Sequence, residues 1–170
     1  MFLSKKVLGV CPARSGSKGI KLKNLRKVNG KSLIAITGEF SRKSNMIDAS
    51  VITSDSKKML DEGIKWGFDY GLLRPQHLST DSASSLDTWI HAWIEYEKIS
   101  KLRFDYSILL QPTSPMRTEE ELLSIFREFE INNYEIITTL SEVPGHYKPE
   151  KIICETENKL DFYCQNIPHN

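Results

Sequence analysis

The sequence predicts an α/β protein whose mostly parallel central sheet is flanked by helices. Three observations predict it. Short apolar runs rich in β-branched residues alternate with longer stretches of helical spacing, from Lys6 to Leu140. Such alternation gives parallel strands joined by crossover helices. The chain has 170 residues, 39% hydrophobic and 26% charged, which suits a single domain over residues 1–170 with one sizeable core. No internal repeat or low-complexity tract breaks the pattern.

Each element has its own signal. "KVLGVCPA" is a short apolar run and reads as a buried strand. "KSLIAITGEFSRKS" has apolar residues at helical spacing and starts a helix near Ser32. "ASVITSD" is a second strand. "SKKMLDEGIKWG" is a helix with Met59, Leu60, Ile64 and Trp66 as its inner stripe, ended by Gly67. "FDYGLL" is a brief third strand. "SLDTWIHAWIEYEKI" is a strong helix with Leu86, Trp89, Ile90, Trp93, Ile94 and Tyr96 facing inward, its tryptophans read as core. "DYSILLQ" is a fourth strand. "TEEELLSIFREFEI" opens with the capping-box spacing Thr118 to Glu121, and "YEIITTL" reads as a fifth strand. Beyond Ser141, "EKIICET" and "KLDFYC" read as a hairpin.

Charge and composition exclude several classes. Net charge is +1, so bulk adhesion to nucleic acid or a membrane is not expected. Cys11, Cys154 and Cys164 are too few and too scattered for a zinc knuckle or a disulfide framework. His77, His91, His146 and His169 form no ligand constellation. No apolar stretch approaches the ~20 residues of a membrane span, and "VLGVCPA" ends in Arg14, unlike a signal peptide. A cytoplasmic protein is expected.

The cations are unevenly placed. Met1 to Gly38 carries Lys5, Lys6, Arg14, Lys18, Lys21, Lys23, Arg26, Lys27 and Lys31 and no acid; the first is Glu39. Ligands of open α/β sheets bind beyond the carboxyl ends of the strands. Here those ends lead into "RSGSKGIKLKN", "SDS", "RPQHLSTDSASS" and "QPTSPMR". Gathered at one edge, their hydroxyls, amides and cations suit a polyphosphate. Gly16 and Gly19 allow close approach and positive φ. Arg14 can fork onto two phosphate oxygens, and Lys18 and Lys23 can neutralise a triphosphate and a departing pyrophosphate.

Two motifs fail. "GKS" at Gly30 to Ser32 lacks the earlier P-loop glycine, because Leu25 stands there. The dinucleotide fingerprint is also missing, since only Gly16 and Gly19 follow the first strand. Neither a Walker-type ATPase nor an NAD enzyme is supported.

"PARSGSKGIKLKN", "LRPQHLSTDSASS" and "LLQPTSPMR", in that order, resemble the acylneuraminate cytidylyltransferases, or CMP-sialic acid synthetases, and their relatives for legionaminic, pseudaminic and 3-deoxy-manno-octulosonic acids. The resemblance runs from Lys6 to the end. It implies a nucleotide-diphospho-sugar transferase-like fold, a Rossmann-like three-layer sandwich. It implies transfer of CMP from CTP to a nine-carbon 2-keto sugar acid, with Mg²⁺, by a cytoplasmic homodimer that binds neither nucleic acid nor membrane.

Residue by residue, the resemblance puts Arg14, Ser17 and Lys18 on the CTP phosphates and Lys23 at the reacting phosphate, with Arg14, Lys18 and Lys23 the catalytic group. Asn24 bonds the nucleotide, and Arg74, Ala83 and Ser85 frame the base with Ser84 adjacent. Gln111, Thr113 and Ser114 reach the acceptor, as does Lys148, with Lys151 as the alternative match. Other readings stay open: Ser84 as a helix cap, Gln111 as an end-of-strand bonder, Arg117 as a loop-orderer or substrate contact, and Asp55 as a cap or a metal or ribose contact. The resemblance also implies a longer chain. Residues 142–170 would begin a dimerisation and substrate-covering arm, and the D-x-D metal pair would lie beyond residue 170, so no metal ligand is assigned. The alternatives are a shortened chain, a shortened gene product, a protein that binds CTP or CMP and turns it over poorly or not at all, or a nucleotidyltransferase for another sugar such as 3-deoxy-manno-octulosonate.

Overall fold

A computed structural model describes residues 5–17, 19–132, 134–140, 142, 153–156 and 159–162. In chain order the elements are β1 (Val7–Pro12), β2 (Lys27–Val28), β3 (Lys31–Ser32), α1 (Leu33–Lys43), β4 (Ala49–Ser54), α2 (Lys57–Trp66), β5 (Tyr70–Leu73), α3 (Ser85–Ser100), β6 (Tyr106–Leu109), α4 (Glu119–Asn132), β7 (Ile153–Thr156) and β8 (Lys159–Phe162). The chain divides into two compact units, Met1–Arg127 and Glu128–Asn170.

The first unit holds a four-stranded parallel sheet of order β5-β4-β1-β6. β1 is central and pairs with β4 from Leu8↔Ala49 to Pro12↔Thr53, and with β6 from Val7↔Tyr106 to Val10↔Leu109. The chain steps outward from β1 to β4 to β5, then returns to the other side of β1. Right-handed crossovers in opposite directions put their helices on opposite faces. α1 and α2 pack together on one face. α3 packs on β1, β4 and β5 from the other.

Strand alternation serves both faces. Leu8, Val10, Ala49 and Val51 meet Ala92, Tyr96 and Phe104 on the α3 side. Cys11 and Ile52 meet Ile34, Met59 and Leu60 on the other. Val7 packs with Met46, Leu122 and Phe126, seating the start of α4. Cys11 is fully buried, and burial pushes its thiol up to about 12, so it is an inert packing group.

The helix ends follow the sequence. Ser32 caps α1 by accepting the Ala35 amide at 3.0 Å. Gly67 ends α2 at φ 120°, a left-handed conformation that favours glycine. Thr118 and Glu121 bond each other's amides at 3.2 and 2.9 Å, a reciprocal capping box.

Three expectations need correction. On α2, Gly63 is buried and Ile64 is exposed; a Cβ at Gly63 would stand 2.7 Å from Ile52 Cδ1, so close packing excludes a larger side chain there. On α3, Leu86, Ile90 and Ile94 are exposed, while Thr88, Ala92 and Tyr96 are buried and Trp89 and Trp93 pack at the rim. Small residues let the helix sit close to the sheet, and the bulky apolar ones flank the contact. Residues 134–140, read as a strand, form none; Ile136 and Leu140 are 79% and 91% exposed. β-Propensity is realised only against a pairing strand and a covered face. The hairpin read near the end is present as antiparallel β7 and β8.

The amino edge of the sheet is acidic. Asp48 accepts the Val7 amide at 2.8 Å, Asp69 the Ser50 amide at 2.7 Å, and Asp105 the Lys6 amide at 2.8 Å. Each aspartate precedes one strand and satisfies the first amides of its neighbour. Lys5 joins that edge by pairing with Asp105 at 3.2 Å.

Candidate functional site

Strand order reverses between β1 and β6, so the crevice of this sheet opens where the loops leaving those two strands separate. The loop after β1 forms one wall. Its first residues are held from several directions. The Ala13 amide donates to the Thr53 carbonyl at 3.0 Å. The Ala13 carbonyl accepts from Arg74 Nη2 at 2.6 Å. The Arg14 carbonyl accepts from Asn24 Nδ2 at 3.4 Å. Ser15 gives its amide to Asp55 Oδ1 at 2.9 Å and its hydroxyl to Asp55 Oδ2 at 2.6 Å.

Arg74 is 7% exposed and follows β5. Burial pulls its pKa down, and the nearby Asp55 carboxylate opposes that. Its Nε is buried without a partner among the described residues. The guanidinium therefore braces the loop from below rather than lying open at the surface. Asn24 is 5% exposed, on a 3-10 turn of Lys23–Leu25. That turn is entered through Leu22 at φ 52°. Gly16 and Gly19 have no left-handed φ; space is open where their Cβ atoms would be. Ser17 and Lys23 are half-buried. Lys18 lies outside the described residues.

The segment after β5 meets this wall directly. Arg14 Nη1 donates to the Thr80 carbonyl at 3.0 Å and pairs with Asp81 Oδ1 at 2.8 Å. Ala83 follows, its amide donating to the Thr80 carbonyl at 3.3 Å. Ser84 is the N-cap of α3 and accepts the Leu86 and Asp87 amides at 3.1 and 3.3 Å. Ser84 and Ser85 are exposed at the positive end of that helix. Arg14, Asn24, Arg74 and Ala83 to Ser85 thus share one edge.

The loop after β6 is the second wall. Leu110 donates its amide to the Val10 carbonyl at 2.7 Å, carrying the strand pairing up to this edge. Gln111, Thr113 and Ser114 have exposed side chains. The Gln111 carbonyl accepts from Arg117 Nη2 and from the Ser114 amide. Arg117 also donates to Thr37 Oγ1 of α1 at 3.4 Å and stacks over Phe40 with 5.6 Å to the ring centroid. This guanidinium orders its own loop. Lys148 and Lys151 lie outside the described residues.

Sequence alone does not pair Asp55 with Ser15. The signal was the register: Pro12 pairs with Thr53, so Ser15 and Asp55 each stand just past the end of neighbouring strands. Asp55 does not cap α2, whose N-cap Ser56 makes no side-chain cap bond. Burial raises its pKa, but the Ser15 hydroxyl and amide outweigh that and hold the carboxyl below the usual range. Among the described residues, no group of three or more His, Cys, Asp or Glu side chains converges to hold a metal. No helix among them is long and apolar enough to cross a membrane. A separate recess of about 500 Å³ lies against α3 between Ile90, Trp93, Ile94 and Phe104. Its Glu97 is committed to Arg103 at 2.6 Å, and it offers no convergent polar set for a nucleotide.

Comparison with known proteins agrees with this geometry. The family model for cytidylyltransferases matches residues 8–168. An N-acylneuraminate cytidylyltransferase of Escherichia coli O18:K1:H7 is 33% identical over 87% of this chain and 33% of its own. A CMP-N,N'-diacetyllegionaminic acid synthase of Legionella pneumophila is 34% identical over 96% of this chain and 73% of its own. A CMP:2-keto-3-deoxy-manno-octonic acid synthetase complexed with CTP superimposes with a TM-score of 0.59 at 21% identity, over 76% of this chain and 49% of that one. The chain therefore spans a third of the first relative's length and about half of that structure's, and the shared architecture is the nucleotidyltransferase sheet.

Proposed function

The chain belongs to the cytidylyltransferase family, and from that premise we propose that it transfers CMP from CTP to a sialic-acid-like 2-keto sugar acid, of the N-acylneuraminate, legionaminic or pseudaminic type, releasing pyrophosphate. The observation that carries the reading is the crevice at the β1/β6 switch point. One wall is cationic and braced; the other carries exposed amide and hydroxyl groups.

The anomeric hydroxyl of the acceptor attacks the α-phosphorus in line. A new P–O bond forms as the bond to the β-phosphate oxygen breaks, the hydroxyl loses its proton, and pyrophosphate departs. Nucleophile and leaving group belong to the substrates, so the protein positions them and offsets charge. Arg14, Ser17 and Lys18 bind the phosphates, and Lys23 meets the reacting one. Asn24, Ala83, Ser84 and Ser85 hold the nucleoside end. Arg74 acts there through the Ala13 carbonyl it grips. Gln111, Thr113, Ser114 and Lys148 orient the acceptor. Arg14 must exchange Asp81 and the Thr80 carbonyl for phosphate oxygens, which couples the base-side segment to the triphosphate.

The family implies Mg²⁺. The described residues hold no acidic cluster to fit it, so no step is derived through the ion. A cytoplasmic homodimer, with residues 142–170 beginning the arm that covers the neighbouring site, belongs to the same proposal. Pyrophosphate release from CTP and a panel of keto sugar acids tests it. Release with one acceptor supports transfer. CTP binding without release from any acceptor identifies a nucleotide-binding module instead.

A further inference from the structure

Asp55 stands near Arg74, itself near Arg14, at the edge proposed to hold CTP, where a bare carboxylate would repel a triphosphate. Its charge is not bare. Oδ1 accepts the Ser15 amide at 2.9 Å and Oδ2 accepts the Ser15 hydroxyl at 2.6 Å. Ser54 Oγ lies 3.5 Å from Oδ1. The Arg74 guanidinium is close enough to favour the ionised form. It caps no helix.

We infer that Asp55 is a positioning residue of the transfer reaction: through Ser15 it fixes the first turn of the phosphate-facing loop, and it touches neither nucleotide, metal nor acceptor. The inference rests on the transferase reading above. Its ground is the register. β1 and β4 pair through five consecutive positions up to Pro12↔Thr53. Ser15 and Asp55 bridge the ends of those two strands, so the brace joins two rigid supports through a short side chain. Arg74 at Ala13 and Asn24 at Arg14 hold the two preceding residues by their carbonyls. Asp55 alone among the three braces grips an amide and a hydroxyl, and so sets which way Ser15, and the turn after it, faces. A displacement of about 1 Å in a catalytic wall can cost about a hundredfold in rate.

The test is a double-mutant cycle on the full chain, with turnover and with calorimetric binding of CTP and of cytidine. Asp55→Ala is expected to lower kcat about a hundredfold. It should weaken CTP binding about fivefold or more while cytidine binding stays within about twofold. Asp55→Asn keeps an acceptor for the Ser15 amide and is expected to recover about tenfold of the lost kcat. Ser15→Ala should cost about threefold to tenfold alone and nothing further in the Asp55→Ala background, because paired groups are not additive. Thermal melts check folding; should Asp55→Ala not fold, Asp55→Asn replaces it in the cycle. Additive losses, a silent Ser15→Ala, or cytidine affinity falling in step with CTP would mean that Asp55 touches ligand directly and would overturn the inference alone. A wild-type chain that binds no CTP would overturn the transferase reading, and this inference with it.

Discussion

On the β1 side of the crevice, residues 13–15 are tied by side chains from three other places in the chain: Arg74 after β5, Asn24 in the 3-10 turn and Asp55 after β4. On the β6 side one guanidinium, Arg117, ties Gln111 back to α1, and the side chains of Gln111, Thr113 and Ser114 are exposed. The two walls stand on neighbouring strands of one sheet, so strand position does not explain the difference. The proposed chemistry does. Charge stabilisation at a reacting phosphate requires donors that do not reorganise during the step. Recognition of an acceptor sugar tolerates adjustment, and exposed side chains can supply it.

The largest expected effect comes from removing the cation proposed to meet the reacting phosphate. Lys23→Ala should lower kcat for pyrophosphate release by about a hundredfold to a thousandfold, the scale of removing one preorganised donor. A loss below tenfold would reduce the β1 wall to scaffolding and break the comparison.

A smaller effect is expected from releasing the other wall. Arg117→Ala removes the bonds to the Gln111 carbonyl and Thr37 and the stack on Phe40. KM for the acceptor should rise about tenfold, or about 1.4 kcal/mol, while the Kd for CTP holds. Steady-state kinetics beside calorimetry reads the split. An equal loss for CTP would show that the β6 wall also carries the triphosphate.

The smallest effect concerns pH. The Asp55 carboxyl is held below its ordinary range, since the Ser15 bonds outweigh burial. Its contribution is present above the unfolded carboxylate value of about 3.9 and is lost as pH falls through the lower folded value. The melting-temperature difference between wild type and Asp55→Asn should stay constant above pH ~4 and shrink below it. Arg117 does not titrate there, so the β6 wall has no matching acid sensitivity. A difference that kept its size in acid would mean that the ionised form is not what holds Ser15.

Much of this was legible beforehand. Alternating apolar runs located β1, β4, β5 and β6 and the helices between them, because burial on both faces of a parallel sheet leaves no freedom in the pattern. Ser32, Gly67 and the Thr118–Glu121 box ended helices where local chemistry demanded it. The inner face of α3 was read wrongly because bulk stood for burial, when close approach to the sheet selected Thr88 and Ala92. The strand read at residues 134–140 had the right composition and no pairing strand, and composition cannot supply one.

By itself the sequence determined which residues would stand at the carboxyl edge: parallel strands deliver every following loop to one side, and the cations were already concentrated there. Only the tertiary structure decided what those residues do for one another. Arg74 turns inward to a carbonyl, Arg14 spans to Thr80 and Asp81, and Asp55 spends both oxygens on a serine forty residues earlier in the chain. A hydrogen bond depends on distance and direction across strands, and no spacing within one stretch of sequence encodes either.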